Sequence, residues 1–244
     1  MTARPVTKQP RSKTASSFEL TWVRSPVERT EEGIPAELMV LKDIQKLIIR
    51  QTADTIGVGC NQDNEYRILN KTKQQVFFAT EETTCCCRCL CGPARSFNIY
   101  LQNKHGQEIV RFVRPVRCDG CCCMCCMMRL MIQTPDGEVL GYVKQKWKLF
   151  GAKVVVETFD GKPILEIVTS CCPCRCFRDM EFKVFALETE EEGAIKKQWR
   201  GKKDTLNVDH EQFIINFPSN LDVIGKTLLI GASFLMDFMF FEMT

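Results

Sequence analysis

Three stretches of this chain repeat one pattern: a short β-branched or aromatic run, a polar turn, and a second such run. They are FNIYLQNKHGQEIVRFV, LMIQTPDGEVLGYV and VVVETFDGKPILEIV, with turns centred on residues 103–106, 136–137 and 160–161. An Asp-Gly pair between extended runs favours a hairpin, because glycine accepts the positive φ that a tight turn requires. The pattern therefore predicts antiparallel β-hairpins.

Two weaker units of the same kind, YRILNKTKQQVFFA and FKVFALETEEEGAIKKQW, precede and follow these three. Five such units imply about ten to twelve strands, and an open twisted sheet of that size curls or splits. It closes into a barrel or forms a sandwich. The predicted fold class is therefore mainly β and antiparallel.

The first 33 residues lack this periodicity. They mix Pro, Ser, Thr and charged residues, a composition that buries little apolar surface, so we predict a disordered basic and polar arm over residues 1–33. The folded domain is predicted to span residues 34–244. A chain of 244 residues is long enough to bury a full core without disulfide bonds.

The end of the chain has a different character. Residues 224–241, IGKTLLIGASFLMDFMFF, are apolar on every side apart from Lys226 and Asp237. A helix of this kind must be buried in protein or in lipid. Its length sits at the lower limit for a bilayer span, and an aspartate inside a bilayer is costly. A core helix and a membrane span both stay open, and Asp237 favours the core.

Composition narrows the function classes. Sixteen cysteines without a visible signal peptide indicate a reducing compartment. The net charge of +3 is too small to indicate nucleic-acid binding by itself. We find no glycine-rich phosphate-binding loop, which argues against ATP-driven transport. His105 and His210 are the only histidines, and neither indicates a nucleophilic catalytic site, so we expect no enzymatic activity.

Three longer stretches carry a family resemblance: RPVRCDGCCCMCCMMRLMIQTPDGEVLGYVKQKW, VDHEQFIINFPSNLDV and IGASFLMDFMFFE. From about residue 34 to residue 242 the chain resembles the phospholipid scramblases. The resemblance implies a tubby-like fold, a closed barrel of about twelve strands around a C-terminal hydrophobic helix, in agreement with the hairpin count. It also implies calcium-stimulated, ATP-independent, bidirectional movement of phospholipids between leaflets, at the cytoplasmic face of the plasma membrane.

Cysteines form three clusters, at residues 85–91, 118–126 and 171–176. The central run resembles the family's palmitoylated segment, with Met124 in place of the usual proline. The implied acylation sites are Cys121, Cys122, Cys123, Cys125 and Cys126. Several acyl chains give a stable membrane anchor, and the flanking arginines would attract anionic lipids. C-x-x-C pairs in the same clusters keep zinc open as an alternative to palmitate.

The resemblance also implies a calcium site before the C-terminal helix. The aligned positions are Asp209, Glu211, Phe213, Ile215, Phe217 and Asn220, with Asp222 two residues further on. Calcium takes about six to eight oxygens, and only Asp209, Glu211 and Asn220 offer side-chain oxygen at the aligned positions. The alternation of Phe213, Ile215 and Phe217 is typical of an inward-facing strand. A calcium site and a core strand both stay open.

The segment GAIKKQWRGKK, at residues 193–203, matches the position of the family's nuclear import segment. The implied importin contacts are Lys196, Lys197, Trp199 and Arg200. A solvated face is the alternative, both here and for the basic run at residues 144–153. Nuclear entry is expected when the chain is not acylated. SH3 and WW domain partners are not expected, because residues 1–33 contain no P-x-x-P motif.

Two functions follow as hypotheses. The first is a membrane-anchored scramblase that acts on phospholipid bilayers. The second is a palmitoylated adaptor that binds lipids or proteins, signals in the nucleus, and moves no lipid. A helix buried in a barrel cannot span lipid at the same time. The position of residues 224–241 therefore bears directly on the choice.

Overall fold

A computed structural model describes residues 21–23, 34–52, 64–82, 96–116, 127–148, 153–168, 179–199 and 211–241. These residues form twelve strands, one 3-10 helix and one α-helix. The strands are β1 (Lys46–Thr52), β2 (Glu65–Asn70), β3 (Gln75–Glu82), β4 (Phe97–Gln102), β5 (Glu108–Arg114), β6 (Arg129–Gln133), β7 (Val139–Lys146), β8 (Lys153–Thr158), β9 (Pro163–Val168), β10 (Met180–Ala186), β11 (Glu192–Trp199) and β12 (Glu211–Asn216). The 3-10 helix, Ala36–Leu41, precedes β1, and the α-helix α1, Val223–Phe240, follows β12.

Each strand pairs in antiparallel orientation with the next one along the chain, and β12 pairs with β1. In this last ladder Lys46 lies opposite Asn216, which closes the sheet into a barrel. Side chains in β4 and β6 alternate between buried and half-buried along the whole strand, because successive residues of a strand point to opposite faces. The predicted closed antiparallel barrel is confirmed.

The up-and-down order gives the barrel two different ends. Tight turns join β2 to β3, β4 to β5, β6 to β7, β8 to β9 and β10 to β11 at one end, which we call the hairpin rim. The other strand-to-strand connections are longer and leave from the opposite end, which we call the long-connection rim. All sixteen cysteines belong to these longer connections and lie outside the described residues.

One residue with positive φ occurs in each tight turn. These residues are Lys73, Gly106, Gly137, Gly161 and Glu190. The three glycines, with φ of 74°, 89° and 83°, belong to the three turns that the sequence indicated most clearly, and glycine adopts this region at little cost. Lys73 and Glu190 reach the same region, at 63° and 55°. The two weaker hairpins therefore use the same kind of turn with a less suitable residue.

The helix α1 runs back through the barrel from the hairpin rim toward the long-connection rim, and 89% of it is buried. Phe234 faces Tyr66 and Phe112 of the wall, and Phe238 stacks on Phe97 with ring centroids 4.0 Å apart. By length and composition this helix could cross a membrane. Its contacts make it the core helix of the barrel, which was the interpretation that Asp237 favoured.

Close approach of helix and wall depends on a small residue at Gly141 of β7. A Cβ atom at this position would lie 2.4 Å from the backbone oxygen of Glu157 and 2.8 Å from Cδ1 of Leu228 on the helix. Both distances are shorter than non-bonded atoms tolerate. Glycine therefore allows β7, β8 and α1 to meet at full packing density.

A short part of the predicted N-terminal arm joins the barrel. The Val23 N–H donates to the Gln75 carbonyl at 2.9 Å, and the Gln75 N–H donates to the Thr21 carbonyl at 3.0 Å. These bonds form a parallel bridge between Trp22 and the start of β3. The remainder of the predicted arm lies outside the described residues.

Candidate functional site

A buried lysine ties the first turn of α1 to the segment before β1. Lys226 is 1% exposed, and its Nζ donates to the backbone carbonyls of Leu41 at 3.0 Å, Lys42 at 2.9 Å and Ile44 at 2.9 Å. These carbonyls lie at and after the end of the 3-10 helix, where helix carbonyls need partners from outside. An ammonium has three donors, so three acceptors satisfy it fully.

The charge on Lys226 is largely removed from water. Burial lowers its pKa, and the nearby carboxylates of Asp43 and Asp222 oppose that shift. Its Nζ also lies 5.5 Å from the ring centroid of Phe217, within cation–π range. The hairpin-rim end of α1 is therefore fixed by backbone dipoles and one aromatic face. Asp222 adds the N-terminal cap, accepting from the Gly225 N–H at 2.8 Å.

At the other end of the barrel α1 carries Asp237, which faces Lys197 of β11. The two residues are 7% and 3% exposed, and Lys197 Nζ lies 3.4 Å from Asp237 Oδ1. The same ammonium lies 3.8 Å from the ring centroid of Phe241 and 5.3 Å from that of Phe213. A charge buried this deeply requires a partner of opposite sign. The described contacts at this end of the helix are made by side chains.

Arg114 adds a second buried cation at the long-connection rim. It ends β5, and its guanidinium carbon lies 5.4 Å from the ring centroid of Phe97 and 5.9 Å from that of Phe238. Its Nη2 lies 2.8 Å from the sulfur of Met128. The planar guanidinium stacks on aromatic faces, so the last turns of α1 sit in an interior that is both aromatic and charged.

Known proteins match this chain over nearly the whole barrel. The family model described as Scramblase matches residues 25–243. The chain belongs to the scramblase family. Phospholipid scramblase 2 of Bos taurus is 36% identical over 243 residues, which is 98% of this chain and 81% of that protein. Phospholipid scramblase 1 of Homo sapiens is 36% identical over 222 residues, which is 90% of this chain and 70% of that protein.

A further relative, phospholipid scramblase family member 5 of Homo sapiens, is 37% identical over 213 residues, which is 86% of this chain and 79% of that protein. No solved structure matches the chain. The family match spans every described strand and α1. The family resemblance predicted from the three motifs is therefore confirmed.

The predicted calcium positions of this chain do not form one cage. Glu211 begins β12 and Asn220 follows its end, and the strand alone spans roughly 16 Å at about 3.3 Å per residue. Between them, Phe213, Ile215 and Phe217 are buried in the barrel core. The core-strand interpretation describes this segment. An ion can therefore contact one end of it or the other, but not both.

The two ends of the predicted calcium segment have separate surroundings. Asp209 lies outside the described residues. Asn220 lies at the hairpin rim, where it donates to Glu191 from its backbone N–H at 2.9 Å and from Nδ2 at 2.6 Å. Among the described residues, no three His, Cys, Asp or Glu side chains are grouped to hold a metal ion. Calcium binding at either end stays a prediction.

Asn220 and Asp222 line a cleft of about 410 Å³ on the hairpin rim, between the β8–β9 and β10–β11 turns. The Thr158 hydroxyl donates to Asp160 at its edge, and this hydrogen bond lowers the pKa of that exposed carboxyl. Glu188, on the opposite wall, pairs with a lysine of the β8–β9 turn. The three carboxylates that line the cleft, those of Asp160, Glu188 and Asp222, therefore already have partners.

The structure separates the predicted importin contacts. Lys196 is partly exposed and pairs with Glu181 at 3.0 Å, whereas Lys197 is inside the barrel. Trp199 ends β11, and Arg200 lies outside the described residues. In the closed barrel Lys197 is not accessible to an importin. Nuclear import stays a prediction that now depends on the other three residues.

The predicted acylation sites at residues 121–126 lie outside the described residues, as do the cysteines considered for zinc. Their flanking strands, β5 and β6, end and begin at the long-connection rim. Palmitate and zinc both stay predictions.

Sequence reasoning missed the pairing of Lys197 with Asp237 and the burial of Arg114. A signal for Arg114 was available, because Phe112 and Arg114 share one face of a strand in a period-two count. The same count places Lys197 on the inward face with Ile195. An inward lysine and an aspartate on the core helix indicate a buried ion pair once the barrel is assumed.

Proposed function

We propose that this protein is a membrane-associated phospholipid scramblase, which moves phospholipids in both directions between leaflets without ATP and is stimulated by calcium. The observation that carries the proposal is 36–37% identity with proteins named phospholipid scramblases over 86–98% of the chain. No covalent chemistry is required of the protein in this role.

The buried position of α1 defines what the proposal requires. A helix inside a closed barrel does not contact lipid and gives a headgroup no path across a bilayer. The proposal therefore assigns transport to a state in which α1 leaves the barrel. Two features support such a state: α1 is long and apolar enough to cross a membrane, and the contacts of its last turns include an ion pair between two side chains.

The proposal also includes attachment of the chain to the membrane, stimulation by calcium and entry into the nucleus. Palmitate on Cys121, Cys122, Cys123, Cys125 and Cys126 anchors the chain at the cytoplasmic face of the plasma membrane, since several acyl chains bind stably where one does not. Calcium acts at one end of the segment from Asp209 to Asp222. The unacylated chain enters the nucleus through an importin that binds the basic segment at residues 196–200.

A palmitoylated adaptor without transport activity is the second candidate, and the burial of α1 favours it. In that role the closed barrel is the working form, and it recruits lipids or proteins from the membrane surface. The adaptor predicts binding to vesicles without loss of leaflet asymmetry.

The test uses purified full-length protein in vesicles that carry a fluorescent phospholipid in both leaflets. An impermeant reductant bleaches the outer leaflet, and transport brings inner-leaflet lipid within its reach. The proposal expects bleaching beyond the outer-leaflet fraction, faster with calcium than with a chelator and independent of ATP. Bleaching that stops at the outer leaflet, with the protein demonstrably bound, would reject transport and leave the adaptor.

A further inference from the structure

Four large hydrophobic side chains are exposed on the described surface, two at each rim. Val116 and Trp147, at the long-connection rim, are 56% and 54% exposed, while Phe159 and Leu187, at the hairpin rim, are 72% and 45% exposed. Exposed apolar side chains that sit together mark contact sites more often than scattered ones do. Among the described residues, basic side chains flank the first pair, and carboxylates outnumber basic side chains in the turns that hold the second pair.

The first pair belongs to a basic–aromatic patch, defined by Val116, Arg129, Lys146, Trp147 and Lys148. Val116 follows the end of β5, Arg129 begins β6 and Lys146 ends β7, and these three strands are neighbours in the barrel. The Gln145 N–H donates to the Met128 carbonyl at 2.8 Å, which extends the β6–β7 ladder to this rim. Three adjacent strands span roughly 10 Å, so the patch is compact.

Positive charge remains in the patch after its ion pairs are counted. Lys146 lies 3.5 Å from Glu157, and that same carboxylate also accepts Lys144, so one acid faces two ammonium groups. Lys148 is exposed and has no carboxylate partner within the described ranges. The Arg129 guanidinium stacks on a tyrosine ring, 4.2 Å from its centroid, which orders the side chain without neutralising it.

Part of the hairpin rim carries the opposite charge: the β6–β7, β8–β9 and β10–β11 turns hold six carboxylates and one lysine, whereas the β2–β3 and β4–β5 turns hold three lysines. Asp136 and Glu138 belong to the β6–β7 turn, and residues 187–191 of the β10–β11 turn include three glutamates. Phe159 is therefore exposed among carboxylates, whereas Trp147 is exposed between two lysines. An anionic surface attracts the first pair with its basic neighbours and repels the acidic turns around the second pair.

We propose that the basic–aromatic patch docks the barrel on the surface of an anionic bilayer, with Trp147 in the headgroup region. Tryptophan suits this position because its ring is apolar and its N–H can still reach water or a lipid oxygen. Lys146 and Lys148 place their ammonium groups beside lipid phosphates while their apolar stems follow the tryptophan. The proposal rests on the proposed membrane function, and it orients α1 with its last turn toward the bilayer.

The experiment uses full-length protein purified from bacteria, which carries no palmitate, and vesicles of phosphatidylcholine with or without phosphatidylserine. Trp22→Phe and Trp199→Phe together leave Trp147 as the only tryptophan. Its emission is expected to shift to the blue with phosphatidylserine vesicles and to be quenched by brominated lipid. Unchanged emission under conditions of full binding would overturn the proposal.

Two variants measure the contribution of the patch. A lysine near an anionic surface is worth about a fivefold change in partition, so Lys146→Ala with Lys148→Ala is expected to weaken binding at least about tenfold. Trp147→Ala is expected to weaken it by a similar factor. The matched controls at the hairpin rim, Phe159→Ala and Lys162→Ala, are expected to leave binding unchanged. Equal binding by all four proteins would overturn the proposal.

Two further measurements distinguish lipid docking from binding to soluble polyanions and from lipid transport. If Trp147 emission responds to heparin but not to vesicles, the patch binds soluble polyanions and the lipid proposal is wrong. The same proteins are run in the lipid transport assay. Docking without transport supports the patch and rejects only the proposed transport, whereas transport unaffected by loss of the patch rejects only the patch.

Discussion

The two ends of α1 are held in the barrel by different chemistry. At the hairpin rim, Lys226 donates to three backbone carbonyls, and these acceptors are present whatever side chains the sequence supplies. At the long-connection rim, Asp237 pairs with Lys197, which also faces aromatic rings. This second contact requires side chains of opposite charge at both positions. We therefore expect a change of environment to release the C-terminal end of α1 more readily than the end that Lys226 holds.

Breaking the ion pair is expected to give the largest effect. Asp237→Leu leaves Lys197 buried without its carboxylate, and removal of one partner of a buried pair costs about 3–5 kcal/mol. Urea unfolding followed by circular dichroism measures the loss. Glu181→Leu is the matched control, because it removes the partner of the neighbouring but exposed Lys196, and exposed pairs contribute about 0–1 kcal/mol.

The pair also permits a rescue experiment. Replacing both partners, with Lys197→Met in the Asp237→Leu protein, removes the orphaned charge and is expected to recover most of the lost stability. A double variant as unstable as the single one would show that the ion pair is not the main contact at this rim.

At the hairpin rim the expected loss is smaller but cannot be rescued. Lys226→Met removes the donor to three carbonyls, and a buried group left without a partner costs about 1–3 kcal/mol. The bond to Leu41 is fully buried, whereas the bonds to Lys42 and Ile44 are partly buried, so water can replace the donor at those two carbonyls. The expected total is therefore about 2–3 kcal/mol. The acceptors are backbone atoms, so no second side-chain substitution removes them. Lys42→Met, at an exposed position, serves as the control, and a loss equal to that of the control would contradict the assigned role.

Raising the pH is expected to act on the Lys226 contact in a defined direction. Burial lowers the pKa of Lys226 below 10.5, so between the lowered value and 10.5 the unfolded chain binds more protons at this site than the folded chain does. The free energy of unfolding therefore rises with pH in that window. Comparison of wild type with Lys226→Met cancels the titration of the cysteines, and the difference in stability between them is expected to grow. A difference that shrinks with pH would contradict the sign.

The barrel and its helix were predictable because their signals are local. Glycines at the turn positions and a period of two specify hairpins within about twenty residues, and the all-apolar stretch around Asp237 specifies a buried helix. The pairing of β1 with β12 followed only from strand number and the family resemblance. These features are therefore predictable either from residues that are close in the sequence or from the number of strands.

The contacts at the helix ends depend on distant residues. Lys226 and Leu41 are 185 positions apart in the chain, and Lys197 and Asp237 are 40 apart. No local pattern links such residues until the barrel closes around the helix. The basic run predicted to lie on the surface therefore contains one lysine, Lys197, that belongs to the core. The alternating segment predicted to bind calcium contains three apolar core residues, Phe213, Ile215 and Phe217.

The smallest expected effect concerns the hairpin rim itself. Glu190 has φ of 55°, a region that costs a residue with a Cβ about 1–2 kcal/mol, while glycine adds roughly 0.5–1 kcal/mol of backbone entropy to the unfolded chain. Glu190→Gly is therefore expected to stabilise the barrel by about 0.5 kcal/mol, measured by urea unfolding. Thr189→Gly in the same turn, where φ is not positive, gains no relief and is expected to destabilise. Among the described residues, Glu190 makes no hydrogen bond or ion pair with α1. A gain here in the Asp237→Leu background equal to that in wild type would therefore show that the two rims contribute independently.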